Sequence, residues 1–204
     1  MEGSMNKNIL ILSNIKGGIS IMKENVHVFI INGYPRSGKD TFIDLCKKAA
    51  MEHNKKGKGS IFIKSHSTVD TIKEIFRIFG WNGEKTEVTR KQLSDCKQYL
   101  TEKFDLPFKE CVNIVHTFEE EAHDSNQYVL FLQVREPKEI QRLKDAVGAR
   151  TIYIDPEKRR KKTQQSNMGD ANVECFEYDL RIINNGSLKD LERKAWCFIE
   201  KITL

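Results

Sequence analysis

A chain that runs VHVFIIN (26–32) straight into GYPRSGKDTF (33–42) has few folds open to it. The first stretch is short, almost wholly apolar and rich in β-branched residues. That is the pattern of a strand buried on both faces, as in a parallel sheet. Glycines at 33 and 38 then let the backbone curl so that successive N–H groups converge on one point. From Lys39 to about His53 the residues Phe42, Ile43, Cys46 and Ala49/Ala50 recur at helical spacing. Strand, glycine loop and helix in that order aim a helix N-terminus, with its partial positive charge, at the mouth of the loop, and Lys39 adds a full charge. The motif Gly33-x-x-x-x-Gly38-Lys39 is therefore predicted to hold nucleotide phosphates, with Gly33, Arg36, Ser37, Gly38, Lys39, Asp40 and Thr41 around them.

The position after the lysine departs from the common pattern. Ser or Thr usually stands there to help hold Mg²⁺; here it is Asp40, with Thr41 one residue later. A carboxylate suits the first turn of a helix. Beside a polyphosphate it repels unless a cation lies between them, and Mg²⁺ takes oxygen ligands. Asp40 and Thr41 are both metal candidates, and the sequence does not choose between them.

Further strands are predicted at 60–64, 128–134 (YVLFLQV), 151–154 and in YDLRIIN (178–184). Between them lie helical patterns. One is STVDTIKEIFRIFG, capped by Ser67 or Thr68 with Val69, Ile72, Ile75, Phe76 and Phe79 facing inward. A polar helix follows WNGEK, another covers about 108–122, and Pro137 opens a further one. SLKDLERKAWCFIEKI closes the chain with Ser187 as its cap. Alternation of this kind predicts an α/β protein with a five-stranded parallel sheet between helical layers. Residues 1–24 read as a flexible extension and 25–204 as one domain. That domain carries two appendages, a helical insert at about 80–125 and a polar, basic segment at about 156–175.

Composition narrows the function. The 204 residues are 39% hydrophobic and 31% charged, which is ordinary for a globular protein. A net charge of +5 suits polyanionic ligands but is too modest to predict a nucleic-acid partner. No apolar run approaches the ~20 residues that span a bilayer. The five cysteines and five histidines show no metal-ligand spacing, which points to a reducing cytoplasm. Monomer and homodimer both stay open.

At GYPRSGKDTF the chain resembles the Gly-Lys-Asp loops of phage-type deoxynucleoside monophosphate kinases and of animal phosphomevalonate kinases, within the nucleoside monophosphate kinase superfamily. GWNGEKTEVTRKQLSDCK, FLQVREPKEI, SNMGDANV and YDLRIINNGSLKDL resemble small adenylate-kinase-like P-loop proteins of bacteria and their prophages. The resemblance spans roughly 26–202. It implies transfer of a phosphoryl group from Mg·ATP to a small phosphorylated acceptor, with a (deoxy)nucleoside monophosphate as the leading class. A phosphomevalonate-like acceptor and a non-catalytic ATP-binding module are the alternatives.

On the acceptor side, Trp81 offers a flat surface for a base, and Lys85, Arg90 and Lys97 offer charge; arginine's fork matches phosphate geometry. The bland alternatives are a core tryptophan and a solvated face. The resemblance adds Arg135, which leaves the third strand where ligands of open α/β sheets bind. Glu136 beside it is either a metal-orienting group or a helix-terminal acid. The basic run EKRRKK (157–162) falls where the superfamily carries its lid. The resemblance thus implies that Arg159 and Arg160 close over the phosphates, making Lys39, Arg135, Arg159 and Arg160 the catalytic set.

Overall fold

The computed structural model describes residues 22–57, 59–84, 86–157 and 173–202. Five parallel strands form one sheet: β1 (Val26–Asn32), β2 (Ile61–Ser67), β3 (Gln127–Gln133), β4 (Arg150–Asp155) and β5 (Leu180–Ile183), in the spatial order β2-β3-β1-β4-β5. The helices are α1 (Lys39–Lys55), α2 (Asp70–Ile78), α3 (Glu87–Phe104), α4 (Leu106–Glu120), α5 (Pro137–Val147) and α6 (Leu188–Ile202). The predicted α/β class and five-stranded parallel sheet are what the chain adopts. Among the described residues no helix is long and apolar enough to cross a membrane.

The continuous apolar character of β1 follows from its central place. Phe29 and Ile31 face one core with Phe42, Cys46 and Ala49 of α1 and Leu191, Ala195 and Phe198 of α6. Val26, Val28 and Ile30 face the other, with Cys111, Val115 and Phe118 of α4 and Ile140 and Leu143 of α5. Pairing runs in parallel from Val26↔Tyr128 to Ile31↔Gln133 on one side and from Phe29↔Arg150 to Asn32↔Tyr153 on the other. With period-2 alternation, one strand therefore supplies both layers.

β2 departs from expectation. It runs to Ser67 rather than ending near residue 64, so the expected cap Ser67 belongs to the strand. The bond also runs the other way: the Ser67 N–H donates to Asp70 Oδ2 at 2.8 Å, and no side chain caps α2. Of the five residues expected to face inward on α2, only Ile72 is buried. Phe79 is 86% exposed and its neighbour Ile78 80%. The helix follows the outermost strand and packs chiefly on α3, so its apolar stripe meets little of the sheet. The helical insert is two helices, α3 and α4, with Thr86 capping the first by accepting from the Thr89 N–H.

Candidate active site

The strand order fixes where a ligand can sit. From β1 the chain leaves toward β2, and from β4 toward β5, so the connections of these adjacent strands diverge at their carboxyl ends. A crevice opens there, at the usual ligand position of an open α/β sheet. The loop 33–38 fills its floor.

Close approach explains both glycines. A Cβ on Gly33 would lie 2.6 Å from Ser37 Oγ and 2.8 Å from the Ile154 carbonyl oxygen of β4. Gly38 has φ +92° and is the N-terminal cap of α1; a Cβ there would lie 2.3 Å from Asn184 Nδ2. Arg36 holds φ 62° despite its side chain, a strained conformation for such a residue.

Two buried amides brace the loop from opposite sides. Asn32, fully buried, accepts from the Gly33 N–H at 2.8 Å through Oδ1. Its Nδ2 donates to the Arg135 carbonyl (3.1 Å) and to the Tyr178 hydroxyl (2.8 Å). Tyr178 in turn donates to the Val173 carbonyl at 2.8 Å, and burial pushes its phenol up to about 12. Across the loop, Asn184 Nδ2 donates to the Ser37 carbonyl at 2.7 Å, while the Asn184 N–H donates to the Asp155 carbonyl at 2.6 Å. The chain after β1, the end of β3 and the turns after β4 and β5 are thereby tied together.

Within this frame Ser37 Oγ is buried and lacks a hydrogen-bond partner. A buried hydroxyl left unsatisfied costs about 1–3 kcal/mol, so the loop carries unspent capacity for a polar ligand. Lys39 is buried at 9% exposure, whereas Asp40 and Thr41 are exposed on the first turn of α1. Among the described residues no three or more His, Cys, Asp or Glu side chains are grouped to hold a metal. Asp40 and Thr41 each present side-chain oxygen at the loop's helix start, the donor type Mg²⁺ takes when substrate phosphates and waters fill its other positions.

The remaining sequence candidates separate into three groups. Arg135 and Glu136 join β3 to α5, and Lys97 of α3 reaches them: its ammonium donates to both Glu136 oxygens, at 2.8 and 2.9 Å. Burial alone would raise the Glu136 carboxyl, but Lys97, a backbone hydrogen bond and Arg135 together hold the group below its ordinary value. Trp81 is half-buried at the α2–α3 corner; its indole N–H donates to the Glu84 carbonyl at 2.9 Å, and its ring meets Phe76 edge-on at 6.3 Å. Arg90 is exposed on α3. Lys85, Arg159 and Arg160 lie outside the described residues, as do Asn167 and Asp170 of SNMGDANV.

Asn32, Asn184, Tyr178 and Asp155 did not stand out in the sequence. Asp155 is 1% exposed at the end of β4, where it accepts from the Arg181 guanidinium (Nε at 2.7 Å) and from the Glu157 N–H at 2.9 Å. A usable signal existed for three of them: Asn32, Asp155 and Asn184 stand at the ends of strand runs, where only a satisfied side chain can be buried.

No protein-family model and no curated protein sequence matches the chain. Among solved structures it is similar to an APS kinase of Mycobacterium tuberculosis, with 10% identity and a TM-score of 0.43 over 86% of this chain and 98% of that one. A sugar kinase from Janibacter sp. gives 12% identity and a TM-score of 0.44 over 87% and 98%. A putative kinase from Chloroflexus aurantiacus gives 11% and 0.40 over 83% and 96%. Likenesses this distant leave the functional reading to the geometry of the loop.

Proposed function

We propose that the chain transfers a phosphoryl group from ATP to a small phosphorylated acceptor, of which a (deoxy)nucleoside monophosphate is the leading class. The observation that carries this reading is the braced loop. Gly33 and Gly38 bring the backbone close, Ser37 presents a buried unpaired hydroxyl, and Lys39 is held at the N-terminus of α1.

In this reading the N–H groups of 33–40, Ser37 Oγ and Lys39 bind the donor phosphates. Asp40 or Thr41 contributes an oxygen to the metal that accompanies ATP, which would neutralise charge on the phosphates when bound. Arg135 stands beside the loop through the Asn32 bond and takes the acceptor phosphate. Lys97 fixes Glu136 next to it, and Trp81, Lys85 and Arg90 on the helical insert line the acceptor's path. Arg159 and Arg160 act from the basic segment as lid cations. Such transfer needs positioning and charge more than covalent chemistry.

The test is ADP formation from Mg·ATP against ribo- and deoxynucleoside monophosphates and phosphomevalonate, alongside ATP binding. Turnover on a nucleoside monophosphate, with both ATP binding and turnover lost in Lys39→Ala, is the expected result. Unchanged ATP binding in Lys39→Ala refutes the site. Turnover on phosphomevalonate alone keeps the site and replaces the acceptor. ATP binding with no turnover on any member of the panel refutes the transfer.

A further inference from the structure

A groove of about 550 Å³ opens along the free edge of β5, under α6. Its volume falls in the range of small-molecule sites, roughly 300–1,000 Å³. Phe29, Ile182, Phe198 and Ile202 give it an apolar floor. Five cations line it (Arg150, Arg181, Arg193, Lys194 and Lys201) against one acid, Asp179.

The commitments of these charges differ. Asp179 is taken by Lys144 at 2.7 Å and by the Thr151 N–H and hydroxyl at 2.7 and 2.8 Å. Arg181 is held by Asp155, Arg193 by Asp190 at 3.2 Å, and Lys194 by the Ile183 carbonyl. Arg150 and Lys201 have no carboxylate partner among the described residues. Arg150 lies over the Phe29 ring, 4.9 Å from its centroid. Because α6 starts beyond the carboxyl end of β5 and runs back along the sheet, Lys201 near its end returns to the amino ends of the strands, where β4 begins with Arg150. The C-terminal dipole of α6 opposes an anion there with about half a unit charge; two full cations outweigh it.

We propose that this groove binds a small amphipathic anion, an aliphatic chain carrying a carboxylate or phosphate head. The chain lies over Ile182, Phe198 and Ile202, and the head pairs with Arg150 and Lys201. The site is separate from the phosphate loop, which sits at the carboxyl ends of the strands. A second copy of this chain is disfavoured as the occupant, because two such rims facing each other repel. The chain's own segment 1–21 does not complement the rim either: Lys7 and Lys16 outnumber its one acid, Glu2.

Cys197 lines the groove and is exposed, as is Cys175, which lies outside it. Alkylation of the full chain by iodoacetamide, read peptide by peptide, therefore reports occupancy. Decyl phosphate and decanoate below their micellar concentrations are the probes, with decyltrimethylammonium and inorganic phosphate as controls. Either anionic amphiphile should slow alkylation of Cys197 but not of Cys175, and its affinity should fall about tenfold in Arg150→Gln and in Lys201→Gln. Both side chains are exposed or near the end of the chain, so these variants fold. Protection by decanoate alone or by decyl phosphate alone assigns the head group. Equal protection by decyltrimethylammonium, or by inorganic phosphate, overturns the proposal. So does protection that disappears in Lys39→Ala, which would place the ligand in the phosphate loop. Cys197 already unreactive without any probe overturns it as well, because the groove would then be filled by the chain itself or by another copy.

Discussion

Gly38→Ala tests the bracing of the loop by a single methyl group. Two costs arise from the structure. The residue sits at φ +92°, where an L side chain costs about 1–2 kcal/mol. The new Cβ would also lie 2.3 Å from Asn184 Nδ2, so the amide must swing away and release the buried Ser37 carbonyl it holds at 2.7 Å. Leaving that oxygen unpaired adds about 1–3 kcal/mol. The sum is about 2–5 kcal/mol, or roughly 4–20 °C in Tm for a domain of this size. Urea unfolding of the single variants and of the pair Gly38→Ala/Asn184→Ala separates the two terms. With Asn184 truncated, the next atom a Cβ would meet is Leu191 Cδ2 at 3.7 Å, an ordinary contact. The glycine substitution should then cost only its backbone share, about 1–2 kcal/mol. If its cost in the two backgrounds agrees to within about 0.3–0.5 kcal/mol, Asn184 does not set the shape of the loop and the reasoning fails.

Three further outcomes are expected. Lys97→Met should destabilise the chain by about 1 kcal/mol at neutral pH, a hydrogen-bonded ion pair discounted for the partial exposure of Glu136. Because the folded state lowers the Glu136 pKa below its ordinary 4.5, this contribution is complete above that value and is lost as pH falls through the folded one. Unfolding curves of variant and wild type should thus converge in acid, and a gap that persists there would refute the pairing. Iodoacetamide should modify Cys175 and Cys197 long before Cys46 and Cys111, since the latter two are buried and burial pushes the Cys111 thiol up to about 12; prompt labelling of Cys111 would contradict the α4 packing. Tyr178→Phe should cost about 1–2 kcal/mol by leaving Asn32 and the Val173 carbonyl each one bond short, and a neutral effect in thermal unfolding would mean that this relay carries no load.

The sheet was legible because burial on two faces leaves a mark that survives without an alignment. VHVFIIN and YVLFLQV are almost wholly apolar, and β1 and β3 both prove to be interior strands of the sheet. Edges are less legible. β2 continues past Lys64 through Ser65, His66 and Ser67, polar residues that a search for apolar runs discards, because an outermost strand can face water on one side. The same edge misled the reading of α2: an amphipathic period predicts an inward face only if a second layer is there to receive it, and α2 packs chiefly on α3 rather than on the sheet.

The site divides along a similar line. Gly33, Gly38 and Lys39 could be placed because glycine spacing encodes backbone shape locally. The groups that hold that shape lie far away in sequence, with Asn184 acting on Ser37 from 147 residues on and Tyr178 on Asn32 from 146. Lys97 and Glu136 meet across 39 residues, and nothing in either local sequence marks one as the other's partner. Their joint position has a mechanical consequence. Arg135 is fixed at its carbonyl by Asn32, and its neighbour Glu136 is fixed by Lys97, so the helical insert and the phosphate loop are both attached to the same two residues. In the proposed transfer the acceptor binds against the insert and the donor against the loop. The insert is held to α5 a second time by Arg142, which donates to both Asp105 oxygens at 2.6 and 2.5 Å, so the Lys97–Glu136 pair is one of two polar links and the one that adjoins Arg135. If the acceptor binds as proposed, weakening that pair should impair turnover more than ATP binding.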